Sequence, residues 1–183
     1  MGLKSTLAKP YAKLVARHNK GWINNPLKAQ KDVFQYLIKA ATKTIFGVDH
    51  HFAEIDSYDD FKERVPIVEY EKIKPYIMRI KNGEKNVLWP GYPLYFCKTS
   101  GTTSGVKYIP ISKSSMFFQV KCAKDAVLNY VDKTGDTNPL KGGNIFIQGS
   151  PDLDVSKKIP IGRLSGISSH YVPWYLQSSN FPS

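Results

Sequence analysis

The segment Thr99-Ser100-Gly101-Thr102-Thr103-Ser104-Gly105-Val106-Lys107 constrains this chain more than any other, because it lies between two short apolar runs, Leu94-Tyr95-Phe96-Cys97 and Tyr108-Ile109-Pro110-Ile111. Both runs read as extended, so the Ser/Thr/Gly-rich stretch is a loop joining two strands. A triphosphate needs several donors converging on its oxygens. Glycines let backbone N–H groups approach closely, hydroxyls add movable donors, and a lysine supplies compensating charge. On composition alone a flexible surface turn fits the segment equally well, since Ser, Thr and Gly are common loop formers. A Walker A loop does not fit. That motif needs four residues between its glycines, a Ser or Thr after its lysine and a helix directly following. Here three residues separate Gly101 from Gly105, and Tyr108 with an extended run follows Lys107.

The rest of the chain supplies a mixed α/β setting, with N-terminal helices over about 1–83 followed by strands and helices over about 84–183. Leu7, Tyr11, Leu14 and Val15 share one helical face and are expected to be buried. Asn25 and Pro26 open a second helix, whose stripe Phe34, Leu37, Ile38, Ala41 and Ile45 is expected to run up to Gly47. Ser57-Tyr58-Asp59-Asp60 resembles a helix start that should end before Pro66. Pro75 is expected to divide two short helical pieces, the second closed by Gly83. Val87-Leu88-Trp89 reads as a strand turned by Pro90-Gly91-Tyr92-Pro93 into Leu94–Cys97. After Ile111, Ser112 or Ser114 caps a helix with Met116, Val120, Ala123, Val127 and Val131 on its apolar face. Further strands are expected over Asn144–Ile147 and Ile161–Leu164.

Other features narrow the function classes. No apolar run approaches the ~20 residues that a membrane helix needs, and the chain is placed in the cytoplasm without a membrane partner. Met1-Gly2-Leu3-Lys4-Ser5-Thr6 matches the short myristoylation pattern, against which an ordinary helix start is preferred. Cys97 and Cys122 form no disulfide framework or Cys-x-x-Cys pair and both read as small buried hydrophobes. Asp49-His50-His51 with Glu54 is a polar loop rather than a metal site, because adjacent histidines diverge on regular backbone. His18, His50, His51 and His170 are scattered, so no catalytic residue is assigned. Residues 1–44 hold nine Lys or Arg against Asp32 alone, which contributes to a net charge of +11. A nucleic-acid-binding module would use such a bias, but cations interleaved with apolar positions also describe the solvated side of packed helices.

The loop, with its flanks, resembles the first nucleotide-binding motif of the adenylate-forming superfamily. Val65-Pro66-Ile67 with Tyr70, Lys74-Pro75-Tyr76-Ile77, Gly83-Glu84-Lys85-Asn86-Val87-Leu88-Trp89-Pro90-Gly91 and Lys107-Tyr108-Ile109-Pro110 are similar to the auxin-responsive acyl-acid amido synthetase family, its bacterial members in particular. The resemblance runs from the front helices to Ser183 and implies the first part of a large N-terminal adenylating domain. The family's later nucleotide motifs, ribose-binding aspartate and mobile C-terminal domain fall outside this sequence, which reads as cut rather than finished. It implies ATP with Mg2+, a small carboxylic acid and an amino acid, joined through an acyl-adenylate into an amide by a full-length monomer that does not bind nucleic acid. It also implies that Thr99, Ser100, Gly101, Thr102, Thr103, Ser104, Gly105 and Lys107 hold the phosphates. Some members place one more residue between the second glycine and the lysine. By the same analogy Phe117, Phe118 and Lys121 line the acyl pocket, although on the sequence alone Phe117 is simply core. An acyl-CoA ligase remains an alternative, and the 183 residues alone are expected to bind ATP weakly and to turn nothing over.

Overall fold

The computed structural model describes residues 3–99, 105–140, 144–145, 149–156, 158–171 and 180–181. These form two compact units, one from 27–113 with 153–163, the other from 1–26, 114–152 and 164–183.

The first unit begins with α2 (Pro26–Ala41), which ends earlier than its apolar stripe suggests. The hydroxyls of Thr42 and Thr44 donate back to the carbonyls of Ile38 and Ala41 at 2.8 and 2.7 Å. Thr44 then caps α3 (Ile45–Asp49) by accepting the Gly47 N–H at 3.0 Å. Ile45 therefore belongs to a new helix. A 3-10 turn over Phe52–Glu54 leads to α4 (Tyr58–Arg64), where Ser57 and Asp60 form the reciprocal capping box that their spacing predicts, and Val65 ends the helix before Pro66.

Pro75 does not divide the next element. α5 is one helix, Tyr70–Lys81, with the proline inside. Proline removes the bond to the Glu71 carbonyl at a cost of roughly 3 kcal/mol. Beyond it, Ile77 and Ile80 are 3% and 4% exposed in a core with Val87, Phe96, Ile159 and Ile161, and burying two such side chains is worth roughly 3–6 kcal/mol. Packing outweighs propensity here.

Val87-Leu88-Trp89 is not a strand either. The carbonyls of Asn86 and Val87 accept the N–H groups of Ile45 and Phe46 at 2.8 and 2.9 Å, occupying two orphan donors at the start of α3. The sheet of this unit is three-stranded. β1 (Tyr95–Lys98) pairs antiparallel with β2 (Tyr108–Ile111) and parallel with β4 (Ile161–Gly162). Pro110 lies on β2 at the sheet edge, where a missing N–H is tolerated. β4 is shorter than expected, because Leu164 already starts a helix.

The second unit holds α1 (Leu3–Ile23) and α6 (Lys113–Thr134). The buried face of α1 is Ala8, Ala12, Ala16 and Asn19, while Leu7, Tyr11 and Leu14 are exposed, the reverse of the expected burial. Small side chains let α6 approach closely, and Ala12 packs with Leu128 and Val131. On α6, Met116, Leu128 and Val131 are buried as aliphatic anchors, whereas Ala123 and Val127 are exposed and Asp125 is buried. Cys122 is exposed as well, about 120° round the helix from Leu128. β3 (Asn144–Ile145) pairs in parallel with β5 (Asn180–Phe181), and α7 is Leu164–Ser169. The expected strand residues Phe146 and Ile147 lie outside the described residues.

Candidate functional site

The β1–β2 hairpin holds the Ser/Thr/Gly-rich loop, in the strand-loop-strand arrangement expected from the flanking runs. Lys98 and Tyr108 are the last residues in register. Just beyond them Thr99 and Lys107 close the base of the loop: the Thr99 N–H donates to the Lys107 carbonyl at 3.0 Å, and the Lys107 N–H donates to Thr99 Oγ1 at 3.3 Å. Gly105 has φ +79°, a conformation in which a side chain is strained, so glycine is required there by the backbone. Ser100, Gly101, Thr102, Thr103 and Ser104 lie outside the described residues.

A tyrosine on α5 steadies this base. Tyr70 Oη accepts the Tyr108 N–H at 2.9 Å and faces the Tyr108 carbonyl at 3.4 Å. The Lys107 ammonium lies 5.7 Å from the centre of the Tyr70 ring, and the Lys81 ammonium 3.7 Å from that of Tyr108, both within cation–π range. Tyr108 in turn meets Phe96 edge-on at 6.3 Å. The loop thus springs from a base fixed by backbone pairing, one buried aromatic contact and two ammonium groups. Sequence reasoning used Tyr70 only as part of a resemblance. Its role in holding the hairpin follows from a contact across 38 residues that no local pattern reveals.

The electrostatics suit an anion. From Asn86 to Lys124 the chain contains no Asp or Glu, while Lys98, Lys107, Lys113, Lys121 and Lys124 fall in that span. A polyphosphate at the loop would meet no nearby carboxylate from this span, and a divalent ion would find only hydroxyl and carbonyl oxygens in it.

Phe117, Phe118 and Lys121 belong to the second unit. Phe117 is 63% and Phe118 52% exposed, their rings edge-to-face at 5.6 Å, so Phe117 is not core. α1 meets α6 through Tyr11 with Lys124, Asn19 with Asp125 and Ala12 with Leu128 and Val131, C-terminal to Phe117 along α6. Lys121 donates to Asp125 at 2.6 Å. The Asp49-His50-His51 segment is engaged locally: Tyr76 donates to Asp49 at 2.8 Å, His50 Nδ1 lies 2.9 Å from the Phe46 carbonyl, and His51 faces Glu54 at 3.4 Å.

Residues 20–179 match the family described as GH3 family N-terminal domain. Among curated relatives, a probable indole-3-acetic acid-amido synthetase, GH3.13, from Oryza sativa subsp. japonica is 56% identical over 45 residues, covering 25% of this chain and 10% of the relative. The 4-substituted benzoates-glutamate ligase GH3.12 of Arabidopsis thaliana is 36% identical over 87 residues, 46% of this chain and 15% of that protein. The solved AtGH3.15 acyl acid amido synthetase, in complex with 2,4-DB, shares the fold with a TM-score of 0.71 at 19% identity, over 92% of this chain and 29% of its own. The chain therefore spans less than a third of the solved relative. Among the described residues, no helix is long and apolar enough to cross a membrane.

Proposed function

The chain belongs to the GH3 family, and from that premise we propose that it is the phosphate-binding front of the large adenylating domain of an acyl-acid amido synthetase. The observation that carries this reading is the acid-free Ser/Thr/Gly loop held on an antiparallel hairpin, clasped at its base by Thr99 and Lys107. In the reaction a carboxylate oxygen of the acid attacks the α-phosphorus of ATP, the α–β phosphoanhydride bond breaks, and pyrophosphate leaves. The amine nitrogen of an amino acid then attacks the acyl carbon, AMP departs, and the amine loses a proton as the amide forms.

Charge repulsion opposes the first step, since both nucleophile and phosphate are negative. The hydroxyls of Thr99, Ser100, Thr102, Thr103 and Ser104 and the N–H groups of Gly101 and Gly105 are the donors available to the β- and γ-phosphates, with Lys107 adding charge. Mg2+ would supply Lewis-acid charge neutralisation, reaching this segment on the triphosphate rather than through a carboxylate cage. The exposed ring pair of Phe117 and Phe118, with Lys121, is proposed to line the acyl side. The acid and amino acid are small molecules, and the parent protein acts as a cytoplasmic monomer.

The test is acid-dependent pyrophosphate release by a GH3 chain carrying these 183 residues together with the remaining length of its relatives. Replacing Ser100 and Thr103 with Ala should abolish release while leaving the fold intact by circular dichroism. Undiminished release from that double variant would refute the loop assignment, and consumption of coenzyme A in place of an amino acid would refute the amide reading.

A further inference from the structure

We propose that the cavity at the α2–α3 junction binds a small phosphate monoester, its dianionic head on the ammonium groups of Lys39 and Lys43 and the side-chain amide of Asn86. The cavity has a volume of about 480 Å³, enough for a phosphate carrying a compact organic body, and every residue that lines it belongs to the first unit. Ala40 and Pro90 give that body an apolar surface. The lining contains two cations and no carboxylate.

Lysines at the end of a helix ordinarily serve its last carbonyls. Here the carbonyls of Ile38 and Ala41 are already taken by the hydroxyls of Thr42 and Thr44 at 2.8 and 2.7 Å, and that of Ala41 also accepts the Thr44 N–H at 2.9 Å. Neither Lys39 nor Lys43 forms an ion pair among the described residues. Asn86 completes the set as a fixed donor. Its backbone is left-handed at φ +55°, held by its N–H donating to the Gly91 carbonyl at 3.1 Å and its carbonyl accepting the Ile45 N–H at 2.8 Å. The side-chain oxygen accepts the Gly91 N–H at 2.7 Å, which leaves the amide NH2 for a ligand.

The donor set favours phosphate over carboxylate. A phosphate monoester carries about −1.5 to −2 charge at pH 7 and three strong acceptor oxygens, a match for two ammonium groups and an NH2. A carboxylate brings one charge in one plane and is best met by an arginine fork, and no arginine lines the cavity. The site shares no residue with the 99–107 loop, so it stands or falls separately from the adenylation reading.

Calorimetric titration of the 183-residue chain with phenyl phosphate tests it, with benzoate as competitor. Phenyl phosphate should bind saturably, and benzoate at equal concentration should fail to displace it. The double variant Lys39→Ala/Lys43→Ala, at two exposed positions, should weaken binding by about tenfold or more with an unchanged circular dichroism spectrum. Asn86→Asp keeps the acceptor for Gly91 and the left-handed backbone but exchanges the NH2 for a negative oxygen, so it should weaken binding at least as much. Ser100→Ala/Thr103→Ala should leave the affinity unchanged. No saturable binding, displacement by benzoate, full affinity in the lysine or Asn86 variants, or loss of binding in the Ser100/Thr103 variant, which would place the ester on the loop instead, would each overturn the proposal.

Discussion

Tyr70 and Tyr108 are joined through the main chain of one and the side chain of the other: the Tyr70 hydroxyl receives the Tyr108 N–H at 2.9 Å, 38 residues away. Removing that oxygen leaves a half-buried N–H without its acceptor. Tyr70→Phe should therefore lower stability by about 1–2 kcal/mol, read as a reduced urea midpoint with unchanged slope. On the adenylation reading it should also weaken nucleotide binding, because the base of the loop loses its outside support.

Two glycines should respond very differently to alanine. At Gly105 a Cβ would meet nothing within 4 Å, so only the left-handed backbone at φ +79° opposes it, costing roughly 1–2 kcal/mol. At Gly47 a Cβ would stand 2.1 Å from the Ala41 carbonyl oxygen, and the α2–α3 junction would have to open. Thermal melts should show a modest shift for Gly105→Ala and a much larger one for Gly47→Ala. Equal shifts would contradict the packing at Gly47.

Asp125 should set part of the acid stability. The hydrogen bond from Lys121 is the largest influence holding its carboxyl below the ordinary 3.8, against the opposing effect of burial and with help from Asn19. A folded-state value below the unfolded one means that the contribution is present above about pH 4 and is lost as pH falls through the folded value. Asp125→Asn should cost about 1–3 kcal/mol at pH 7. Its deficit relative to the parent should shrink in unfolding curves taken progressively below pH 4.

The two thiols should separate kinetically. Cys97 is buried in β1 and burial pushes its thiol up, while Cys122 is exposed on α6. Iodoacetamide at pH 8 should alkylate Cys122 and leave Cys97 intact until denaturant is added, as peptide mass mapping would report. Prompt labelling of both would mean that β1 opens in the native chain.

Local signals carried much of this fold into the sequence. The Ser57–Asp60 capping box, the hairpin strands on either side of the loop and the start of α6 are each written in adjacent residues. What local reading misplaced was decided by distant partners. Pro75 stays helical because Ile77 and Ile80 reach Phe96 and Val87. Leu7 and Leu14 are exposed because the alanine stripe beside them admits α6. Phe117 has the composition of a core residue and the position of a surface one. The loop's chemistry was legible from its residue types, whereas its anchorage on Tyr70 depends on tertiary proximity alone.

The carbonyls of Asn86 and Val87 that terminate the ladder at the head of α3 also bear on how the polypeptide could be shortened or assembled. The caps are about forty residues distant from the helix they complete, so a protein shortened to end before Asn86 would leave the Ile45 and Phe46 amides without these acceptors. The helical front is thus not a transplantable module. During synthesis the Ile45 and Phe46 amides must await emergence of Asn86 and Val87 for these acceptors, and protease cleavage between α5 and β1 should loosen α3 even though the cut lies far from it in the chain.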